Sequence, residues 1–405
     1  PFYSTWYSYH LDITPEAIEN ECRLAKGLGM DAVIVDDGWQ TETKHRGYAY
    51  CGDWEPAPGK FPDMRAHVDA VHQLGMKYLL WYSVPFVGIH TKAFDTFKDK
   101  FLSGPKGDDD KREWFVLDPR FPDVREYLIN IYENAIRDYD LDGFKLDFVD
   151  CFNTHQDTKD EFGGGRDIES VPEAADRLLT DVIARLRAIK PDVMVEFRQS
   201  YIGPAMRKYG NIFRVGDEPN NAAGNRVGSM LLRQLSGNTA IHSDMVMWHY
   251  DDDVESAAMQ LIHALFTVPQ ISVRLAEVPK SHVAMIKRYL EFWREHRDVL
   301  LDGKIEPLQP QHTYPAVVSE TDKKVAAAAY ATGFAPLPAV GDRTLLLANG
   351  TFDDRVVIEL PEALGERSIK VWSCTGEVVE DKSMSLEAGV SSIAVPPAGT
   401  AVISA

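Results

Sequence analysis

Cysteine is scarce: four residues, Cys22, Cys51, Cys151 and Cys374, in a chain of 405. They are widely spread and form no CxxC pair, which argues against a zinc knuckle or a disulfide-stapled scaffold and fits a reducing compartment such as the cytoplasm. Long apolar runs are also missing. The longest, such as Tyr78 to Tyr82, fall far short of the roughly 18 residues that a membrane-spanning helix needs. Positive charge is in deficit, with 43 Lys and Arg against 62 Asp and Glu and a net charge of −19. Such a chain repels the phosphates of nucleic acid and anionic lipid surfaces, so a neutral or cationic small molecule is the expected partner. No G-x-G-x-x-G turn is present, which argues against a dinucleotide-binding doubly wound sheet. His155, His242 and His249 lack HxH or HExxH spacing, so no metal is expected. The chain opens at Pro1 with neither a methionine nor a basic and apolar leader, and is read as an excised start.

What is present is the composition of a folded protein, 44% hydrophobic and 26% charged, with length for about two to three domains. One unit recurs: a short β-branched or aromatic run, a polar and aromatic loop, then an amphipathic stretch. The first comprises Phe2 to Tyr9 and a helix capped by Thr14, with Pro15 at its first position. Ile18, Cys22, Ala25 and Gly29 share one face of that helix. Further strands are predicted at Ala32 to Val35, Lys77 to Ser83, Gly143 to Phe148, Val193 to Phe197, Ile212 to Val215, Ala240 to Met247 and Ile271 to Val273. About eight such units over roughly 300 residues predict a (β/α)8 barrel for residues 1–303. After Gly303, short alternating runs separated by Gly, Pro and Asp predict a smaller antiparallel β-sandwich for residues 304–405. Asp108 to Lys111 and Gly163 to Gly165 read as solvated loops.

Catalytic side chains in such a barrel gather at the C-terminal ends of the strands. Here those ends are acidic. Strand two runs into Asp36-Asp37-Gly38-Trp39, strand four carries Lys145-Leu146-Asp147, strand five Glu196-Phe197-Arg198 and strand six Arg214-Val215-Gly216-Asp217-Glu218. Strand seven leads to Asp244, Trp248 and His249; Trp6, Trp54 and Trp81 lie on or near strands one, two and three. Carboxylates, basic side chains and tryptophans describe a pocket for an uncharged polyhydroxylated ligand, since carboxylates accept from hydroxyls and aromatic faces pack on sugar C–H faces. Paired carboxyl groups also suit glycosidic chemistry. Plainer readings stay open. Asp36 and Asp37 also fit a turn, Arg214 also fits a structural pair with Asp217, the tryptophans also fit a core, and Asp251 to Asp253 fit a helix cap. Lys145 and Asp147 alternate around Leu146 and so point to one side of their strand, with Phe144 and Phe148 facing away.

The run of Trp6-Tyr7-Ser8-Tyr9, Asp36-Asp37-Gly38-Trp39, Gly52-Asp53-Trp54, Phe144-Lys145-Leu146-Asp147-Phe148 and Phe213-Arg214-Val215-Gly216-Asp217 resembles the catalytic barrel of the α-galactosidases of glycoside hydrolase family 36 and, more remotely, family 27. The resemblance implies a retaining hydrolase of terminal α-D-galactosides with Asp147 as nucleophile and Asp217, in preference to Glu218, as acid/base. It implies that Asp36 and Asp37 grip the 4- and 6-hydroxyls, that Lys145 and Arg214 hold the 2- and 3-hydroxyls with Glu196 as a further candidate, and that Trp39, Trp54 and Trp81 wall the pocket. Arg198 is counted among the substrate-contacting residues. No metal or organic cofactor is implied, and a homo-oligomer is compatible. The strand-five motif lacks the family's cysteine and glycine cluster, and the usual N-terminal β-sandwich is expected to be absent. Alternatives are an α-N-acetylgalactosaminidase, a galactosyl-transferring relative, a carbohydrate-binding barrel without activity, and a metal-dependent barrel enzyme.

Overall fold

A computed structural model describes residues 1–103, 111–154, 158 and 162–405. Eight strands, β1 (Phe2–Ser4), β2 (Ala32–Val35), β3 (Lys77–Ser83), β4 (Gly143–Asp147), β5 (Met194–Arg198), β6 (Ile212–Arg214), β7 (Ala240–Val246) and β8 (Val268–Ile271), close into one parallel barrel. Each strand pairs with its neighbours in sequence, and β8 returns to β1 through Phe2 opposite Gln270 and Tyr3 opposite Ile271. Seven long helices wrap it: α1 (Pro15–Leu28), α2 (Met64–Gln73), α3 (Pro122–Tyr139), α4 (Val171–Ile189), α5 (Ala222–Leu235), α6 (Val254–His263) and α7 (Lys280–Leu301). Their starts follow the local chemistry. Thr14 Oγ1 accepts from Ala17 N at 3.3 Å to open α1, whose Ile18, Cys22 and Ala25 are buried, and Asp253 caps α6 by accepting from Ser256 N at 2.9 Å.

Two strand boundaries differ from those expected. The first strand stops at Ser4, because Tyr7 N and Ser8 N donate to Ser272 Oγ at 3.0 and 3.1 Å and turn Trp6–Tyr9 into one helical turn. The eighth strand begins earlier, at Val268, which pairs with His242. Between β5 and β6 the described chain makes only the 3-10 turn Pro204–Lys208, entered through Gly203 and Pro204. His155 and residues 108–110 of the acidic loop lie outside the described residues.

The C-terminal part is two facing sheets. The larger runs in the order Lys304–Leu308, Ala316–Glu320, Lys324–Ala329, Thr344–Asn349, Thr400–Ser404, Gly365–Trp372, Val378–Leu386; the smaller holds Ala335–Pro336, Arg355–Leu360 and Gly389–Ala394. Val325, Leu345, Leu347 and Ile369 of one sheet share a core with Val356, Ile358 and Ile393 of the other. The arrangement is not wholly antiparallel: Lys324–Ala329 pairs in parallel with Thr344–Asn349, since the intervening chain crosses to the smaller sheet through Ala335–Pro336 before returning. The outer face of the large sheet, with Ala326, Ala328 and Leu346, joins the barrel's apolar core. Polar ties fix the contact: Arg226 on α5 donates to Thr313 O at 2.9 Å, Tyr330 to Ile262 O at 3.2 Å, and Ser319 to Val299 O at 2.6 Å. No described helix is long and apolar enough to cross a membrane.

Candidate active site

At the C-terminal mouth of the barrel, the strand ends bring five carboxylates and three cations together. Lys145 on β4 reaches across to Asp36, just beyond β2, with Nζ to Oδ2 at 2.6 Å and both side chains buried. Asp36 is fixed from below by its own N–H, which donates to Thr5 Oγ1 at 2.9 Å, and its Oδ1 accepts from Asp37 N at 2.9 Å. The chain can bend there only because residue 38 is glycine. Its φ is +120°, and a Cβ at that position would stand 2.7 Å from the Cα of Leu11. Asp37 Oδ1 accepts from Gln40 Nε2 at 2.7 Å. Burial, reinforced by the charge of Asp36, pushes the Asp37 carboxyl up to about 7.

Asp147 closes β4 and is unevenly dressed. Its Oδ1 accepts from Arg198 Nε at 2.7 Å, Tyr201 OH at 2.7 Å and Phe148 N at 2.9 Å, whereas Oδ2 accepts from Trp81 Nε1 at 3.0 Å. Burial alone would raise its pKa. The charges of Lys145 and Arg198, with the Tyr201 and Trp81 hydrogen bonds, overcome that and hold it at about 2. The carboxylate is therefore ionised at neutral pH. Beyond it the strand ends: Phe148 takes φ +62°, so it does not continue the alternation with Phe144, and it stacks on Phe86 above the mouth.

Arg214, at the end of β6, is fully buried among carboxylates. It donates through one terminal nitrogen to Asp244 Oδ1 and through the other to Asp217 Oδ1 at 3.0 Å, and its Nε stands 3.7 Å from Glu196 Oε1. The sugar-gripping role expected for it therefore competes with structural pairing. Asp217 keeps half its side chain exposed. Partial burial works to raise its pKa, but Arg214, then Lys145 and Arg198, pull it below the usual carboxylate range. Glu218 turns to the start of α5, where Asn221 Nδ2 donates to its Oε2 at 2.7 Å, while its backbone N–H donates to Asp244 Oδ2 at 2.6 Å. Glu196 sits inside the barrel, not at its rim: it is fully buried, bonded to His242 Nδ1 at 2.8 Å and to Gln270 Nε2. Its position reflects register, since Glu196 lies opposite Lys145, one inward-facing layer below Asp147.

The tryptophans form a stepped wall. Trp81 faces Asp147 through its indole N–H, Trp54 packs edge-on against Trp81 with ring centroids 5.8 Å apart, and Trp39 stacks on Trp54 at 5.9 Å. Trp39 gives its N–H to the Trp81 carbonyl at 3.0 Å and is completely buried. Its bond to the Trp81 carbonyl and its stack on Trp54 brace those two rings. Sequence reasoning missed Tyr201, Gln40 and Tyr7, whose OH donates to Asp244 Oδ2 at 2.9 Å. It also left Asp244 without a role, although His242 and Asp244 alternate on β7 as Lys145 and Asp147 do on β4. Among the described residues, the one grouping with metal-ligand spacing is Asp69, His72 and Asp140, and it is already paired with Arg65, Lys190 and Asp142. His249 uses its backbone N–H on Asp252.

Two carboxyl groups at one barrel mouth, one strongly ionised and one half exposed, can support nucleophilic attack on one side of a bond and proton transfer on the other. Comparison with known proteins bears on that chemistry. The family model Melibiase matches residues 2–303. Among curated relatives, α-galactosidase Mel36A of Lactobacillus acidophilus is 24% identical over 200 residues, covering 48% of this chain and 26% of its own. The A type blood α-D-galactosamine galactosaminidase of Flavonifractor plautii is 28% identical over 146 residues, covering 32% of this chain and 13% of its own. Among solved structures, a variant of α-galactosidase AgaA from Geobacillus stearothermophilus in complex with raffinose superposes with a TM-score of 0.70 at 16% identity, covering 100% of this chain and 55% of the other. The α-galactosidase of Lactobacillus brevis gives 0.68 at 19% identity, over 100% and 54%. The chain thus spans about half the length of these solved chains, and the aligned parts cover 26% and 13% of these curated relatives.

Proposed function

Because this chain belongs to the melibiase family, we propose that it is a retaining glycoside hydrolase that releases terminal α-D-galactose through a covalent glycosyl-enzyme. The observation that carries the reading is the ionised, donor-clamped carboxylate of Asp147 at the end of β4. In the first step Asp147 attacks C1 of the sugar as the bond to the leaving oxygen breaks, and Asp217 gives that oxygen a proton. In the second, Asp217 takes a proton from water, the water oxygen bonds C1, and the Asp147 ester is released. Such a pair works with its carboxyl groups about 5 to 5.5 Å apart. Asp217 is ionised in the free chain, but half of it is exposed; a bound sugar strips that water and raises its pKa toward a proton donor's. Glu218 is a poorer acid/base, as its side chain is engaged by Asn221.

Asp36, Asp37 and Lys145 suit the hydroxyls of the sugar held at the mouth, with Trp81 and Trp54 as its wall. The complex of a similar protein with raffinose, which carries a terminal α-galactoside, supports this substrate class. The test is turnover of 4-nitrophenyl α-galactoside beside the corresponding α-N-acetylgalactosaminide and α-glucoside. Turnover of the galactoside is expected, and Asp147→Ala should lower kcat by about 10³-fold or more while azide rescues part of it, as a small anion in the vacated space replaces the nucleophile. Near-normal turnover by Asp147→Ala would end the assignment. Preference for the N-acetylated sugar would move it to the galactosaminidase relative's specificity.

A further inference from the structure

Arg198 closes β5, and its guanidinium lies on the proposed nucleophile. We propose that Arg198 activates Asp147 as a leaving group, so that it serves the second half of the reaction, and that Oδ2 is the oxygen that bonds the sugar; this rests on the hydrolase reading above. The asymmetry of donors is the basis. Oδ1 is occupied by three of them, the Arg198 Nε, the Tyr201 hydroxyl and the Phe148 N–H, each within 2.9 Å. Oδ2 holds the Trp81 indole alone among the described donors. A nucleophilic oxygen needs an available lone pair directed at C1, and Oδ2 is the one that retains it.

Arg198 is rigidly held for this task. Its NH1 donates to the backbone carbonyl of Gln199 at 2.9 Å, and its guanidinium carbon stands 5.2 Å from the centre of the Phe148 ring and 5.7 Å from that of Tyr201. These contacts keep the guanidinium in place when the carboxylate becomes an ester.

The electron bookkeeping gives the direction. In the first step an electron pair of Oδ2 forms the bond to C1, the pair of the C1–O bond leaves with the aglycone, and the negative charge facing Arg198 disappears. In the second step water bonds C1, its proton goes to Asp217, and the C1–Oδ2 pair returns to Asp147. Charge is lost beside Arg198 in forming the ester and regained in breaking it. A fixed cation there disfavours the first change and favours the second, because the stabilisation exists only while the carboxylate is charged. Arg198 therefore keeps the glycosyl-enzyme from accumulating.

Rapid-quench kinetics on a 2,4-dinitrophenyl α-galactoside tests this with the full chain. Arg198→Met should lower kcat by about 10- to 100-fold, the range for losing a hydrogen bond to a charged group. KM should fall by at least as much, so that kcat/KM is kept or raised. A burst of about one dinitrophenol per active site and a hexosyl mass increment on the acid-quenched protein should appear in the variant and not in the parent. Arg198→Lys, which restores the charge, should suppress the burst. Tyr201→Phe, which removes one uncharged donor from the same oxygen, should give a smaller one, and it keeps the test decisive if Arg198→Met does not fold. Equal losses in kcat and kcat/KM with no burst would overturn the inference and leave Arg198 as an orienting residue. Lack of turnover by the parent on every aryl glycoside would instead overturn the hydrolase reading itself.

Discussion

At the scale of single residues the candidate site depends on environments that drive chemically identical groups apart. Asp147 and Asp37 are both buried aspartates; four donors, the cation Arg198 among them, and the charge of Lys145 hold the first near 2, while burial and the adjacent Asp36 raise the second to about 7. A carboxylate accepts a sugar hydroxyl better than a carboxylic acid does, so kcat/KM should fall as pH drops below about 7, and Asp37→Asn should lose that limb of the profile. The same shift acts on folding. Between about 4, the value of an unfolded Asp, and about 7 the folded chain holds the extra proton, so this group lowers stability as pH rises through that window. Asp37→Asn should therefore raise the melting temperature relative to the parent more at pH 8 than at pH 4.5, which scanning calorimetry measures. An equal effect at both pH values would remove Asp37 as the source.

At the scale of elements, the strand ends place the chemistry and the turns after them aim it. Gly38 is the sharpest case, because its φ and the 2.7 Å approach to Leu11 leave no room for a side chain. Gly38→Ala should cost about 1–3 kcal/mol in urea unfolding, and should reduce kcat/KM by more than that loss accounts for, since the turn carries Asp37. This division explains what was legible beforehand. The alternation of Lys145, Leu146 and Asp147 could be read because β-strand geometry sends alternate residues to one face. Reading stopped where the strand stopped. Phe148 leaves the pattern at a positive φ, Trp39 is completely buried beyond the turn at Gly38, and Tyr201 reaches Asp147 from a loop whose course no periodicity encodes. Glu196 was legible as a strand carboxylate, but its depth depends on register between β4 and β5, which a single strand does not state. Asp244 had the same i, i+2 signal with His242 and was passed over because its partner Arg214 lies on another strand.

At the scale of the whole molecule, the barrel and the two-sheet unit share one apolar core across α7, tied by Arg226, Tyr330 and Ser319. The mouth itself draws on nearly the whole barrel. Thr5 and Tyr7 follow β1, Asp244 belongs to β7, and the ring closes only where Phe2 meets Gln270 and Ser272 Oγ donates to Ser4 O at 2.7 Å. Joining those ends requires a contact between segments separated by most of the domain, the kind that forms late because its loop-closure entropy is large. Helices and neighbouring strands can be regained before it. On dilution from urea, helical circular dichroism should return ahead of turnover, and turnover should rise together with the final change in tryptophan fluorescence. Activity returning in step with the earliest helical signal would contradict this. The seam between the first and last strands thus makes catalysis a report on completed folding: a chain arrested short of closure would be a barrel in outline with no working mouth.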